Sequence, residues 1–255
     1  MAISSIAGSS ISHSFRGQAT QQSPQTIADP VAKALTPANN RIEQQLGSTK
    51  VQLSAYGQIK GAFAEVQAAS KALSDTKKTT TGDDVKKGVE SFVNAFNKAN
   101  KAVGTAVRGD AKQVSTLAND PRARIAGNDL RHAVAEGSTL SDLKQIGITQ
   151  NQDGSLAIDT QAFDTALQAN PDQVRSTAAS VGQQVEKTAT RELANNGNVG
   201  SSVNALNQRS RSLEAQQSAQ QDQLVASQRL VEQQTTQINN IFAGGLVAYQ
   251  RTLTG

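Results

Sequence analysis

The 255-residue chain contains no cysteine and no tryptophan, a single methionine, and only 3% aromatic residues. The missing cysteine excludes disulfides, thiolate metal sites and cysteine nucleophiles together. So few aromatics, within a hydrophobic fraction of 36%, exclude a large aromatic-rich core. A dominant charge is lacking too, because 25 basic and 21 acidic residues leave a net +4. The basic residues are interleaved with Asp, Glu and Gln, and the aromatics lie at core-like spacings where nucleobases could not stack on them, so no nucleic-acid partner is expected. Lys77-Lys78 and Lys86-Lys87 flank a polar loop and read as solvated charge. The longest late apolar run, Ile241 to Tyr249, is interrupted by Gly244-Gly245. It falls far short of the roughly 20 residues that span a bilayer, so no membrane insertion is expected. The opening MAISSIAGSSISHSFRGQ lacks the basic start and continuous apolar stretch of a secretory signal peptide.

What is abundant is Ala, Gln, Ser and Thr. Ala and Gln favour helix but bury little, so the composition predicts long, thinly packed helices that lean on neighbours for stability. Residues 1–37, punctuated by Pro24, Pro30 and Pro37, show no sustained periodicity and are expected to be a disordered or partly helical tail. A first long helix is expected over 38–74. Ile42, Thr49, Tyr56 and Phe63 recur at intervals of seven, flanked by Leu46 and Leu53 and later by Ile59, Val66 and Leu73. Residues 75–84 read as a loop, with Asp83 or Asp84 as the next cap. Val85, Val89, Phe92, Phe96, Val103 and Val107 then mark an amphipathic helix. Asn119-Asp120-Pro121 supplies a cap and first-turn proline for a short helix holding Ile125, Leu130 and Val134.

The densest information lies in Leu143 to Val174. Ile146 and Ile148 alternate with small or polar residues, as do Leu156 and Ile158, and Asp153-Gly154 supplies a hairpin turn between them. Asp159 can cap a helix bearing Phe163 and Leu167, and Asn170-Pro171 can start another, with Val181, Val185 and Leu193, that stops at Asn195-Asn196-Gly197. The last helix is expected from about Ser201. Its rungs Leu206 and Leu213, then Leu224, Val231 and Ile238, step by seven, with a jump of eleven from 213 to 224 that predicts a locally unwound coil. Gln217 and Gln220 on the same seam make this helix need a partner, and Gly244-Gly245 reads as its break. The compact part is therefore expected over 85–197 with the hairpin at 146–158, followed by a coiled-coil helix and tail over 198–255.

Candidate chemistry is sparse. His13 falls in the tail and His132 in a polar helix beside Arg131, and no pattern links either to a nucleophile. Reading Asn151 to Gly154 as part of a calcium loop places Thr149 and Thr160 where acidic ligands belong, so the hairpin reading wins. Ser141 and Lys144 have the S-x-x-K spacing of some acylating enzymes, but the neighbouring Leu140 and Leu143 mark a packed turn. No catalytic residue, cofactor or metal is expected, and the chain reads as a non-enzyme. The alternatives from the residues are structural: a coiled-coil subunit of an assembly, or a cytoplasmic coiled-coil adaptor or export chaperone.

The run LKQIGITQNQDGSLAIDTQAFDTALQANPDQV, with LSAYGQIKGAFAEVQAA before it and VESFVNAFN between, resembles the flagellar hook-associated protein 2 family of filament-capping proteins. The likeness covers roughly residues 42–240, with gaps. It implies a mainly α fold with a small β-hairpin (α+β), in which long N- and C-terminal helices pair as a coiled coil beside a compact central helical domain. The implied role is a structural cap that self-assembles at the distal end of the filament and promotes flagellin polymerisation. A sister axial or junction subunit is the alternative.

The resemblance further implies a ring-like homo-oligomer, flagellin and hook-associated junction proteins as partners, and a flagellar export chaperone. It implies an extracellular location in the bacterial flagellum, reached through the flagellar type III pathway. On this reading Ile42, Leu46, Leu53, Tyr56, Phe63, Leu206, Leu213, Leu224, Val231 and Ile238 form the coiled-coil seam. Phe92, Phe96, Ile146, Ile148, Leu156, Ile158, Phe163 and Leu167 form the domain core. The chain departs from the family between Leu73 and Val89, where a short polar stretch replaces the large insertion that forms the outer lid and adhesive surface. Ser176-Thr177 also stands where a bulky apolar pair is usual.

Overall fold

The computed structural model describes residues 25–77, 80–137 and 140–254. Seven helices and one hairpin follow in order among them: α1 (Gln25–Ser74), α2 (Gly82–Arg108), α3 (Pro121–Gly137), α4 (Leu140–Gln145), β1 (Ile148–Gln150), β2 (Leu156–Ile158), α5 (Thr160–Ala169), α6 (Pro171–Leu193) and α7 (Asn198–Thr254). The fold is mainly α with a small antiparallel hairpin, bounded by two long helices. Among the described residues, 40–218 make one compact unit, and 25–39 with 219–254 make the other.

The core of the 40–218 unit is built on α2, whose Val85, Val89, Phe92, Phe96 and Val103 fall on one buried face, as the three-and-four spacing predicts. The rings of Phe92 and Phe96 lie 6.0 Å apart at 43°. Against this face pack Tyr56, Ile59, Phe63, Val66 and Leu73 of α1, Leu130 and Val134 of α3, Phe163 of α5, and Val181 and Val185 of α6. The core thus draws on α1 and the first turns of α7 as well as on 85–197. Ile125, expected inside, is 45% exposed, and the inner face of α3 uses Ala123, Ala126 and Ala133 instead. Alanines let α3 lie close to its neighbours, where a larger side chain would hold it off.

Local signals explain most boundaries. Thr81, not Asp83 or Asp84, caps α2: its hydroxyl accepts from Asp84 N–H at 3.2 Å and donates to Asp84 Oδ2 at 2.7 Å, a reciprocal pairing of cap and third residue. Asp120 Oδ1 accepts from Arg122 N–H at 2.9 Å to cap α3. Asp159 and Asn170 cap α5 and α6 as read, taking the N–H groups of Ala162 and Gln173.

Three boundaries differ from expectation. α1 begins at Gln25 and runs through Pro30 and Pro37 rather than starting near Ala38, since an interior proline costs about 3 kcal/mol yet removes only one helical donor. α7 continues through Gly244-Gly245 to Thr254; a helix interior glycine costs about 1 kcal/mol but breaks no hydrogen bond. Ile146 lies in a turn, buried but outside β1, because Gly147 takes a positive φ of 77° between α4 and the strand. Expectations on residues 1–24, including His13, and on Lys78 lie outside the described residues.

The hairpin pairs Ile148 with Ile158 and Gln150 with Leu156. Gly154, at φ 80°, supplies its turn, and Asp153 Oδ1 accepts from Ser155 N–H at 2.9 Å and from Ser155 Oγ at 2.6 Å. A two-stranded sheet this short is marginal alone. It is held by α2: Asn97 Oδ1 accepts from Leu156 N–H at 2.7 Å while Asn97 Nδ2 donates to Leu156 C=O at 2.8 Å. One side chain thereby acts as a third strand. Asn100 Nδ2 donates to Asp153 C=O at 3.0 Å and Asn100 Oδ1 accepts from Arg131 at 3.2 Å. Asn97→Ala leaves both Leu156 backbone groups without these partners and is expected to cost about 2 kcal/mol. Urea denaturation reads the loss, and hydrogen exchange localises it to 148–158.

Candidate assembly surfaces

The residues expected to form a seam divide three ways. Ile42 and Leu46 pack on Leu213 in a small cluster of their own, beside the ion pair Lys50 to Glu214 at 3.3 Å. Tyr56 and Phe63 enter the main core, with Leu206 half-buried against it, and Leu53 is half-buried on α1. Within the 40–218 unit α1 and α7 therefore run in opposite directions over these contacts. In the other unit Leu224 and Val231 are half-buried, in line with Ser227 and Thr235, whereas Ile238 is 52% exposed. The spacing of one helix marks which face wants cover; how far the cover extends is set by the partner, which the spacing does not contain.

Beyond Val231 the apolar side chains of α7 are open to solvent. Ile238, Ile241, Phe242, Leu246, Tyr249 and Leu253 are all exposed, Phe242 at 70% and Leu246 at 62%. In a chain this poor in aromatics the contrast is informative: Phe63, Phe92, Phe96 and Phe163 are buried while Phe242 faces water. Scattered exposed apolar residues are ordinary, but a run of them at helical spacing along one helix end is a candidate contact surface. Asp222, Arg229, Glu232 and Arg251 are the charged residues of α7 beyond Ala219, so little charge opposes docking there.

The core residues Phe92, Phe96, Ile146, Ile148, Leu156 and Phe163 are buried, and Ile158 and Leu167 are half-buried against the same core. Two ion pairs tie the helices around them. Lys86 Nζ bonds both oxygens of Asp164 at 2.8 Å, joining α2 to α5, and Lys98 Nζ meets Glu65 at 2.6 Å, joining α2 to α1. Both pairs are substantially solvated and contribute modestly.

The other positions weighed for chemistry are surface features. His132 is exposed at a cleft it shares with Arg108, Arg131 and Asp153. Ser141 and Lys144 are exposed on α4, whose Leu143 anchors it. Among the described residues no group of three or more His, Cys, Asp or Glu is placed to hold a metal ion, and no helix is long and apolar enough to cross a membrane. Sequence reasoning missed Asn97 and Asn100, which look like solvated helix residues until the hairpin is seen against them, and Glu192, a buried acid near the end of α6 whose carboxyl accepts from Asn198 Nδ2 at 2.9 Å.

The structure thus combines a thin helical core, a hairpin stapled to one central helix and a long helix ending in bare apolar side chains, a mainly α architecture. Residues 33–244 match the family described as "Flagellar hook-associated protein 2 C-terminus", and the chain belongs to that family. It is 32% identical over 129 residues to the B-type flagellar hook-associated protein 2 of Pseudomonas aeruginosa, a match that takes in 46% of this chain and 27% of the relative. The chain thus spans well under half of that relative's length.

Proposed function

We propose that this protein is a structural, non-enzymatic subunit of the bacterial flagellum that assembles at the distal end of the filament, as a cap, and promotes flagellin polymerisation. The observation that carries this reading is the family match over 33–244, supported by the exposed apolar end of α7. The mechanism is interfacial. The 40–218 unit would build the ring with further copies, while the apolar end of α7 would contact flagellin and the hook-associated junction proteins. Delivery would follow the flagellar type III pathway with an export chaperone. Leu73 is separated from the cap of α2 at Thr81 by a few polar residues, so lid formation and adhesion, the roles of the family's outer domains, are not part of the proposal.

The test is to delete the gene and assay the medium for unpolymerised flagellin while imaging the cells. Leaked monomer with absent or stunted filaments, restored by the intact gene, is the expected result. Normal filaments without a leak would overturn the capping role in favour of an accessory axial subunit.

A further inference from the structure

Beyond Ala219, the half-buried positions Leu224, Ser227, Val231 and Thr235 of α7 fall on one line. They step by three and four, the spacing of a single helix face. Ile238, Phe242, Leu246, Tyr249 and Leu253 continue the line at the same steps, and all are exposed, from 52% at Ile238 to 70% at Phe242. The face grows more apolar along its length, yet its cover stops after Thr235.

The cover stops where α1 begins. The two helices run in opposite directions where Ile42 and Leu46 pack on Leu213. Carried along both helices one residue for one, that register sets Gln25, the first residue of α1, opposite 230–234. It sets 238–253 opposite residues that precede α1. Those residues, 1–24, lie outside the described ones and read MAISSIAGSSISHSFRGQATQQSP. Their large apolar side chains, Ile3, Ile6, Ile11 and Phe15 after Met1, come before a polar stretch that leads to Pro24. The same register brings Phe15 to 240–244, where Phe242 stands, and Ile11 to 244–248, where Leu246 stands. Ile6 falls between Tyr249 and Leu253. Like charges do not meet, because Arg16 falls opposite 239–243 and Arg251 opposite 4–8, stretches that carry no charge.

We propose that residues 1–24 of this chain dock along the exposed line of α7 and close it from Ile238 to Leu253, with Phe15 on Phe242 and Ile11 on Leu246. The tether decides in favour of this occupant over a second copy. Residues 1–24 are joined to α1, whose residues 25–39 share a compact unit with 219–254, and a short tether holds a segment at an effective concentration in the millimolar range. A second copy competes only at comparable protein concentration. Ile241 and Val247, 74% and 54% exposed, fall to the side of the line and stay open to other chains. The docking is a property of the chain and holds whichever role the assembled protein plays.

The chain has no cysteine, so engineered cysteine pairs in the intact chain test the register directly. Phe15→Cys with Phe242→Cys, and Ile11→Cys with Leu246→Cys, are matched pairs. Phe15→Cys with Leu253→Cys is about eleven residues out, about 16 Å along a helix and beyond the roughly 7 Å over which a disulfide closes. Under mild oxidation at micromolar protein, both matched pairs are expected to give a cross-linked monomer at least about tenfold faster than the mismatched pair, at a rate independent of concentration. A cross-linked dimer that grows with concentration would hand the face to a second copy and overturn the proposal. Equal rates for matched and mismatched pairs, or no cross-link in any of them, would overturn it as well. Hydrogen exchange on Ile11→Asp checks the same point without cysteines. A carboxylate placed on Leu246 has no counter-charge, so protection at 238–253 is expected to fall at least about tenfold while 40–218 is unchanged. Unchanged protection at 238–253 would also sink the idea.

Discussion

Replacing Phe242 and Leu246 together by aspartate is expected to abolish complementation of the gene deletion while leaving the melting transition of the 40–218 unit where it is. Both side chains are mostly exposed, and neither belongs to the compact unit. Surface substitutions of this kind stay within about 0.5 kcal/mol of wild type, plus a few tenths of local helix propensity for each aspartate. The cost appears only when the surface is covered, because a carboxylate must then be desolvated against an apolar partner with no counter-charge. The measurement pairs a thermal melt with a motility and flagellin-leak assay. A variant that melts normally and still restores filaments would remove the end of α7 from the contact surface and leave assembly to the 40–218 unit alone.

Phe96→Ala is expected to destabilise the 40–218 unit by about 3–5 kcal/mol, the range for removing a buried aromatic side chain that leaves a cavity. Phe96 is fully buried on α2 beside Phe92, one turn before Asn100 and next to Asn97, the residues that hold the hairpin. A domain of marginal stability, typically 5–15 kcal/mol, keeps little after such a loss. In a chain with so few large side chains the neighbours are poorly equipped to refill the space. Urea denaturation should show a lower midpoint with an unchanged slope. A loss below about 1 kcal/mol would mean the site collapses around the smaller residue, and that the core tolerates looser packing than its contacts imply.

Much of the fold is legible in periodicity and capping chemistry. The α2 face, the caps at Asp120, Asp159 and Asn170, the Asp153-Gly154 turn and the stop after Leu193 are all local events, written in residues a few positions apart. Local free energies decide them, so a linear reading suffices. The breaks expected at Pro37 and Gly244-Gly245 fail for the same reason turned round: a local penalty of a few kcal/mol is outweighed by the continuing hydrogen bonds of a long helix.

What the tertiary structure alone decides are the contacts between elements distant in sequence. Gly182 is an unremarked helix residue until α6 lies on α1, where a Cβ would come within 2.7 Å of the Ser70 carbonyl oxygen and the Ser74 nitrogen. Asn97 becomes a strand surrogate only beside Leu156, and Glu192 becomes a buried acid, its carboxyl accepting from Asn198, only once the helices pack around it. The seam on α7 shows the division plainly. Its spacing by itself determines that Leu213, Leu224, Val231 and Ile238 share a side. Whether each is buried, half-buried or bare depends on where another helix begins and ends, because burial is a property of two surfaces and a sequence pattern describes one.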